Sequence, residues 1–241
     1  DRSEARAAEQ MRVDFVANAS HELRTPLSTL IGYTETLRDR TADLDGETQE
    51  RFLSIVHEEA RRMQRVVEDL ISLSRIEAEK FTTPTEAVDL EQLVEVAVEG
   101  ARRMAEERRS ELVTSITPDM PPIAADRVQI LQVLDNLITN ALRYGDPRTP
   151  DMVSASLEDE MVHLSVADQG EGIAPEHLKR LTERFYRVDT SRSRSLGGTG
   201  LGLSIVKHIV ERHRGRLTFE SEVGKGTTMH VLLPVAPLAL S

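Results

Sequence analysis

Two stretches of the chain repeat their apolar residues every three or four positions, and that repeat leaves the first third of the sequence few ways to fold. In the first, Val16, Leu23, Leu27, Leu30 and Leu37 follow the spacing, with Ser20 and Thr34 filling its gaps. In the second, Phe52, Val56, Met63, Val66, Leu70 and Leu73 do the same. This is the period of one face of an α-helix. Thr41, Asp43, Asp45 and Gly46 supply a turn between them, so helices are expected over about Ser3–Arg40 and Glu47–Lys80, folded back as an antiparallel hairpin. Leu30, Ile31, Ile55, Val67 and Ile71 widen the apolar face beyond a single seam. Two helices cannot enclose such a face, and a homodimeric four-helix bundle about a two-fold axis is the expected solution. A coiled-coil spacer would explain the stripes equally well, but not the residues around His21.

His21 lies off the apolar stripe, so its imidazole is expected to face solvent. Thr25 sits four residues on and shares its helix face. Glu22 lies beside the imidazole, where a carboxylate can hydrogen-bond one ring nitrogen and leave the other free as a nucleophile. Pro26, lacking a backbone donor, is expected to kink the helix just after this turn.

Phe81 to Ala87, with Thr82, Thr83, Pro84 and Thr85, breaks the helical pattern. The chain is therefore divided into 1–81, a linker at 82–87, and a second domain at 88–236. That domain reads as a helix capped by Asp89, strands at Glu111–Ile116 and near Ile123, and a helix capped by Asp126 that runs to Tyr144. Strands follow at Met152–Leu157 and Met161–Ala167, then a short helix from Pro175, a helix over Gly200–Arg212, and strands at Leu217–Ser221 and Thr227–Leu233. Short turns between strands imply a mixed, largely antiparallel sheet with helices on one face, an α/β sandwich.

A net charge of −11 argues against a nucleic-acid surface. The absence of cysteine excludes disulfides and thiolate metal sites, and fits a reducing compartment. No apolar run reaches the roughly 18 to 20 residues of a membrane span. The N-terminus begins within a helical pattern and does not resemble a signal peptide, so this is expected to be a piece of a longer protein.

Four stretches of the second domain suit a nucleotide. In Asn136–Tyr144, Asn136 and Asn140 lie four apart on one helix face, where a side-chain carbonyl oxygen is a hard ligand suited to Mg²⁺, and Arg143 adds a cation. In Asp168-Gln169-Gly170-Glu171-Gly172-Ile173, a carboxylate at a strand end can accept a bond from an exocyclic amine such as that of adenine. Leu196 to Leu203, rich in glycine, leads into a helix whose first amides can hold phosphate. It lacks the buried strand in front that a dinucleotide fold requires, and there is no P-loop pattern. Gly224-Lys225-Gly226-Thr227 is a turn between strands.

The run SHELRTPL around His21 resembles the phosphoacceptor box of sensor histidine kinases, in the subgroup with His-Glu-x-x-Thr. The four stretches, in order, resemble the N, G1, G2 and G3 boxes of the catalytic domain of that family, and Glu183-Arg184-Phe185-Tyr186-Arg187 resembles its F box. This is the ATP fold shared with gyrase, Hsp90 and mismatch-repair ATPases. The run IVKHIVERHRGRL looks most like phosphate-regulon sensor kinases. Gln169 stands where the family usually has Asn, and Thr182 where Phe is common.

By that resemblance His21 is the phosphorylated residue, Glu22 orients the imidazole or accepts its proton, and Thr25 positions water for hydrolysis of an aspartyl phosphate. Asn140 is the Mg²⁺ ligand, Asn136 and Arg143 assist at the phosphates, and Tyr144 lies near the nucleotide. Asp168 recognises adenine in a pocket shaped by Gly170, Gly172 and Ile173. Gly198, Thr199, Gly200, Leu201 and Gly202 lie at the phosphates, and Thr227 belongs to the far wall. Val188–Leu196 is a lid whose Arg192 and Arg194, with Arg187, neutralise phosphate charge, while Phe185 docks the lid or the domain on the bundle. The resemblance implies ATP-dependent autophosphorylation of a homodimer and transfer to the receiver domain of a response regulator, with phosphatase activity on that regulator. It also implies sensor and membrane segments upstream, the chain being the cytoplasmic portion of an inner-membrane protein. A dimeric ATP-binding scaffold without turnover and a mechanical ATPase are the rival readings.

Overall fold

A computed structural model describes residues 2–40, 43–79, 81–188 and 198–237. Helix α1 (Arg2–Arg40) runs without interruption through Pro26. The side chains of Ser20, Thr25 and Thr29 return hydrogen bonds to carbonyls one turn back, Thr25 Oγ1 to His21 O at 3.4 Å. Helix α2 (Gly46–Ala78) packs against α1 as the second arm of the hairpin. Gly46, expected in the turn, is instead the first residue of α2, because Asp45 caps the helix by accepting from Thr48 N at 2.7 Å. Val66 and Leu73 are buried, whereas Val16, Leu27, Ile31, Val67 and Ile71 stay exposed in the single chain.

Strand β1 (Ala87–Val88) begins at the last residue of the expected linker and pairs with β3 (Ile123–Ala124). Helix α3 (Leu90–Arg108) lies between β1 and β2 (Glu111–Ile116), and helix α4 (Arg127–Tyr144) follows β3. Both helices start on an aspartate cap. Asp89 accepts from Gln92 N, and Asp126 accepts from both Val128 N and Gln129 N; such caps are each worth about 1 kcal/mol. Next come β4 (Pro150–Glu158), β5 (Met161–Asp168), the single turn α5 (Pro175–Leu178), α6 (Gly202–Arg212), β6 (Arg216–Glu222) and β7 (Gly226–Pro234).

The five longer strands form one sheet in the order β2-β4-β5-β7-β6, with only the β2–β4 pair parallel. Alternate residues of the strands, among them Val153, Val162, Leu164, Val166, Val231 and Leu233, are fully buried. They meet Ile130, Leu134, Leu137 and Ile138 of α4 and Ile205 and Ile209 of α6 in one core. This is the α/β sandwich that the pattern implies, the two-residue period of the strands meeting the helical period of α4 and α6. The helix expected from Gly200 begins two residues later, at Gly202.

Buried polar groups fix how α4 and α6 meet. His213, with no exposed surface, accepts from Asp126 N at Nε2 (3.0 Å), so Nδ1 carries the proton and donates to Ile209 O (2.7 Å). Burial, aided by Arg212, pulls its pKa below the ordinary value. The unfolded chain therefore takes up a proton near pH 6.5 that the folded chain resists. Stability held by this ring is complete above that pH and is lost as pH falls below it. Urea unfolding of His213→Leu should show a loss of about 2 kcal/mol at pH 8 and a flatter decline than wild type between pH 7 and 5. Parallel curves would contradict the neutral, doubly bonded ring.

Candidate functional site

A cavity of about 620 Å³ lies between the hairpin and the sandwich. From α4 come Asn136, Asn140, Arg143 and Tyr144. The end of β5 and the following loop supply Asp168, Gly172 and Ile173; the glycine loop supplies Gly198, Thr199, Gly200 and Gly202; Thr227 comes from β7 and Arg187 from the loop after α5. These sequence-distant residues meet because α4, α6 and the ends of β5 and β7 share one edge of the sandwich. Gly170 is not on the wall, although its N–H donates to Asp168 Oδ1 at 2.9 Å. Leu201 is fully buried in the core and presents no side chain to the cavity, its N–H being taken by Thr199 Oγ1. Of the expected lid only Val188 is described; Arg192, Arg194 and the rest of it lie outside the described residues.

Asp168 is buried, and burial, reinforced by the charge of Asp151, pushes its carboxyl up to about 6 against hydrogen bonds from the Gly170 and Thr227 backbones. Around it Ser221 ties two loops together: Ile173 N donates to its hydroxyl, which donates to Gly226 O and meets Thr227 Oγ1 at 2.8 Å. Gly172 has φ +68°, and a Cβ there would lie 2.0 Å from Glu222 O, so no other residue fits this approach. At the start of α6, a Cβ on Gly202 would lie 2.6 Å from Asn136 Oδ1, and Asn136 Nδ2 is anchored to Gln132 O.

The cavity suits a phosphate-bearing ligand. The Nε atoms of Arg65, Arg143 and Arg187 are buried with no hydrogen-bond partner among the described residues, and such groups are costly unless an anion meets them. The residues therefore fit a nucleotide. They also leave a role for one neutral oxygen ligand to a hard cation: no cluster of three or more acidic, His or Cys ligands occurs among the described residues, and Mg²⁺ on a triphosphate needs few protein donors.

His21 is exposed on α1, as its place off the stripe requires. Glu22 turns elsewhere than expected. Its Oε2 accepts from Arg62 of α2 at 3.1 Å and from Arg187 at 2.7 Å, and both arginine side chains are buried. Arg187 also donates to Thr199 O, so one guanidinium joins the turn that carries His21 to the glycine loop. Further contacts repeat the docking: Thr199 Oγ1 donates to Asp69 at 2.7 Å, Ser72 to Gln132 at 2.8 Å, Arg184 pairs with Glu77, and Arg212 with Glu79. Phe185 packs on Phe15 with ring centroids 6.0 Å apart. Sequence reasoning missed Arg62, Arg65, Glu68 and Asp69, which lie off the apolar stripe of α2; a local signal is the arginine density at Arg61, Arg62 and Arg65.

Residues 11–79 match the His Kinase A (phospho-acceptor) domain family, and residues 125–237 the family described as histidine kinase-, DNA gyrase B- and HSP90-like ATPase. The phosphate regulon sensor protein PhoR of Pseudomonas aeruginosa is 40% identical over 220 residues, covering 91% of this chain and 49% of its own length. This chain thus spans about half of that relative. Among solved structures, ShkA in complex with AMPPNP superposes with a TM-score of 0.68 at 28% identity, covering 96% of this chain and 46% of that one. The Acinetobacter baumannii histidine kinase AdeS superposes with a TM-score of 0.71 at 25% identity, covering 90% and 98%. No helix among the described residues is long and apolar enough to cross a membrane.

If the Asp168 carboxylate is the acceptor for the ligand, its protonation competes with binding. Calorimetric titration with AMPPNP should show affinity falling as pH drops below about 6, and Asp168→Asn should bind weakly without that step. An affinity independent of pH between 5 and 8 would exclude this role.

Proposed function

Because the chain belongs to the sensor histidine kinase family, we propose that it transfers the γ-phosphoryl group of ATP to His21 and passes it on to an aspartate of a response regulator. The observation that carries this reading is the position of Arg187. It lines the nucleotide cavity and bonds both the glycine loop and Glu22, the residue next to His21. The cavity thus abuts the phosphoacceptor turn of its own hairpin.

The chain's side chains divide the work. Asp168 accepts from the adenine amine, and the amides at the start of α6, with Arg143 and Arg187, hold the phosphates. Asn140 is the protein ligand for Mg²⁺, which when bound supplies positive charge to the phosphate oxygens. His21 uses its unprotonated ring nitrogen as the nucleophile in line with the leaving oxygen. Glu22, once released from Arg187, orients the ring or takes its proton. Such a release requires a shift of the ATPase unit against the hairpin, as expected of a two-domain kinase. Thr25 positions water for the reverse task, hydrolysis of the regulator's aspartyl phosphate. The apolar side chains left exposed on the hairpin, including Ile31, Val67 and Ile71, form the surface that a second copy covers in a four-helix bundle. The family resemblance supports sensor and membrane segments upstream in the whole protein, with this portion on the cytoplasmic side of the inner membrane.

Incubation with Mg²⁺ and γ-labelled ATP should give acid-labile, alkali-stable label on the wild type and none on His21→Gln or Asn140→Ala. A wild type that binds ATP but takes no label would favour the scaffold without turnover. Since the cavity meets Glu22 of the same chain, phosphorylation is expected in cis. Mixed dimers of His21→Gln with Asn140→Ala should then stay unlabelled, and label in the mixture would establish transfer between chains.

A further inference from the structure

We propose that Arg65, on helix α2 of the hairpin, is a phosphate-binding residue of the nucleotide site and lets the site prefer ATP to ADP. The inference rests on the kinase reading, in which the terminal phosphoryl group must face the hairpin because the acceptor imidazole is there.

The turn of α2 from Arg65 to Asp69 forms part of the cavity wall and touches the glycine loop. Asp69 fixes that wall, accepting from Thr199 Oγ1 at 2.7 Å, and Arg65, one turn earlier, lines the same cavity. Its Nε is buried without a hydrogen-bond partner, as is the Nε of Arg143 on the facing helix α4. Two guanidinium groups from different domains thus line one space, each with its Nε–H unmet. Burial and the charges of Arg61 and Arg62 pull the Arg65 pKa down against Asp69 and Glu68, and burial with the charges of Arg65 and Arg108 does the same to Arg143 against Tyr144 and Asp69. The acids on this wall offset the cationic charge only in part. Burial pushes the Asp69 carboxyl up, and Glu68 is an exposed residue engaged by Gln64. A terminal phosphate, with several acceptor oxygens and about two negative charges, answers both guanidiniums at once. The α- and β-phosphates are left to the glycine loop and the start of α6, so ADP would leave Arg65 unsatisfied.

A merely structural Arg65, holding the hairpin to the sandwich, would affect both nucleotides alike, and that separates the two roles. Calorimetry on the full chain carrying His21→Gln, with Mg²⁺ and either AMPPNP or ADP, reads the preference directly. Arg65→Ala should weaken AMPPNP about tenfold, the loss of a charged hydrogen bond, while ADP changes less than about twofold and so reports an intact fold. Arg65→Lys should recover part of the loss, since it restores charge without the planar fork. Equal weakening of both ligands, or an unchanged ratio, would overturn the assignment. If the parent chain binds neither nucleotide, the kinase reading itself falls; if it binds both and Arg65→Ala keeps the ratio, only the role of Arg65 falls.

Discussion

One carboxylate oxygen organises the docked arrangement. Glu22 Oε2 is shared by Arg62, from the other arm of the hairpin, and by Arg187, from the ATPase unit. The two arginine side chains are 8% and 5% exposed, so none of the three charges is well solvated, and removing one would leave the others uncompensated. The first pair locks the register of α1 against α2; the second sets the nucleotide cavity against the turn that carries His21. Glu22, adjacent to His21, thereby anchors the ATPase unit to the hairpin.

The remaining contacts between hairpin and sandwich combine polar pairs, Thr199 with Asp69, Ser72 with Gln132, Arg184 with Glu77 and Arg212 with Glu79, with apolar packing, Leu73 and Ile76 of α2 joining the core cluster of the sandwich and Phe185 resting on Phe15. The sandwich itself is held by a continuous aliphatic core through α4, α6 and the central strands.

Much of this arrangement is legible in the amino-acid sequence. The Asp89 and Asp126 caps, the strand at Glu111–Ile116, the exposure of His21 and most of the cavity wall follow from local pattern and from glycine and asparagine boxes whose chemistry is specific. What sequence pattern does not carry is long-range. Glu22 reads as the partner of its neighbour His21, yet it reaches Arg62 forty residues away and Arg187 in the other domain, which no periodicity specifies. Arg65 and Asp69 lie off the apolar stripe, and the loop that meets Asp69 lies 130 residues on. Leu201, flanked by glycines, is a core residue because the start of α6 needs an apolar anchor. Gly46 belongs to the helix rather than the turn because Asp45 supplies the cap.

The docking of the sandwich on its own hairpin is tested most directly by cross-linking Asp69→Cys to Thr199→Cys, in a chain that otherwise has no cysteine. These side chains are in hydrogen-bond contact within one chain, so a short bismaleimide should join them rapidly in a product of monomeric mass. Failure to link, or linkage only between chains, would contradict the arrangement.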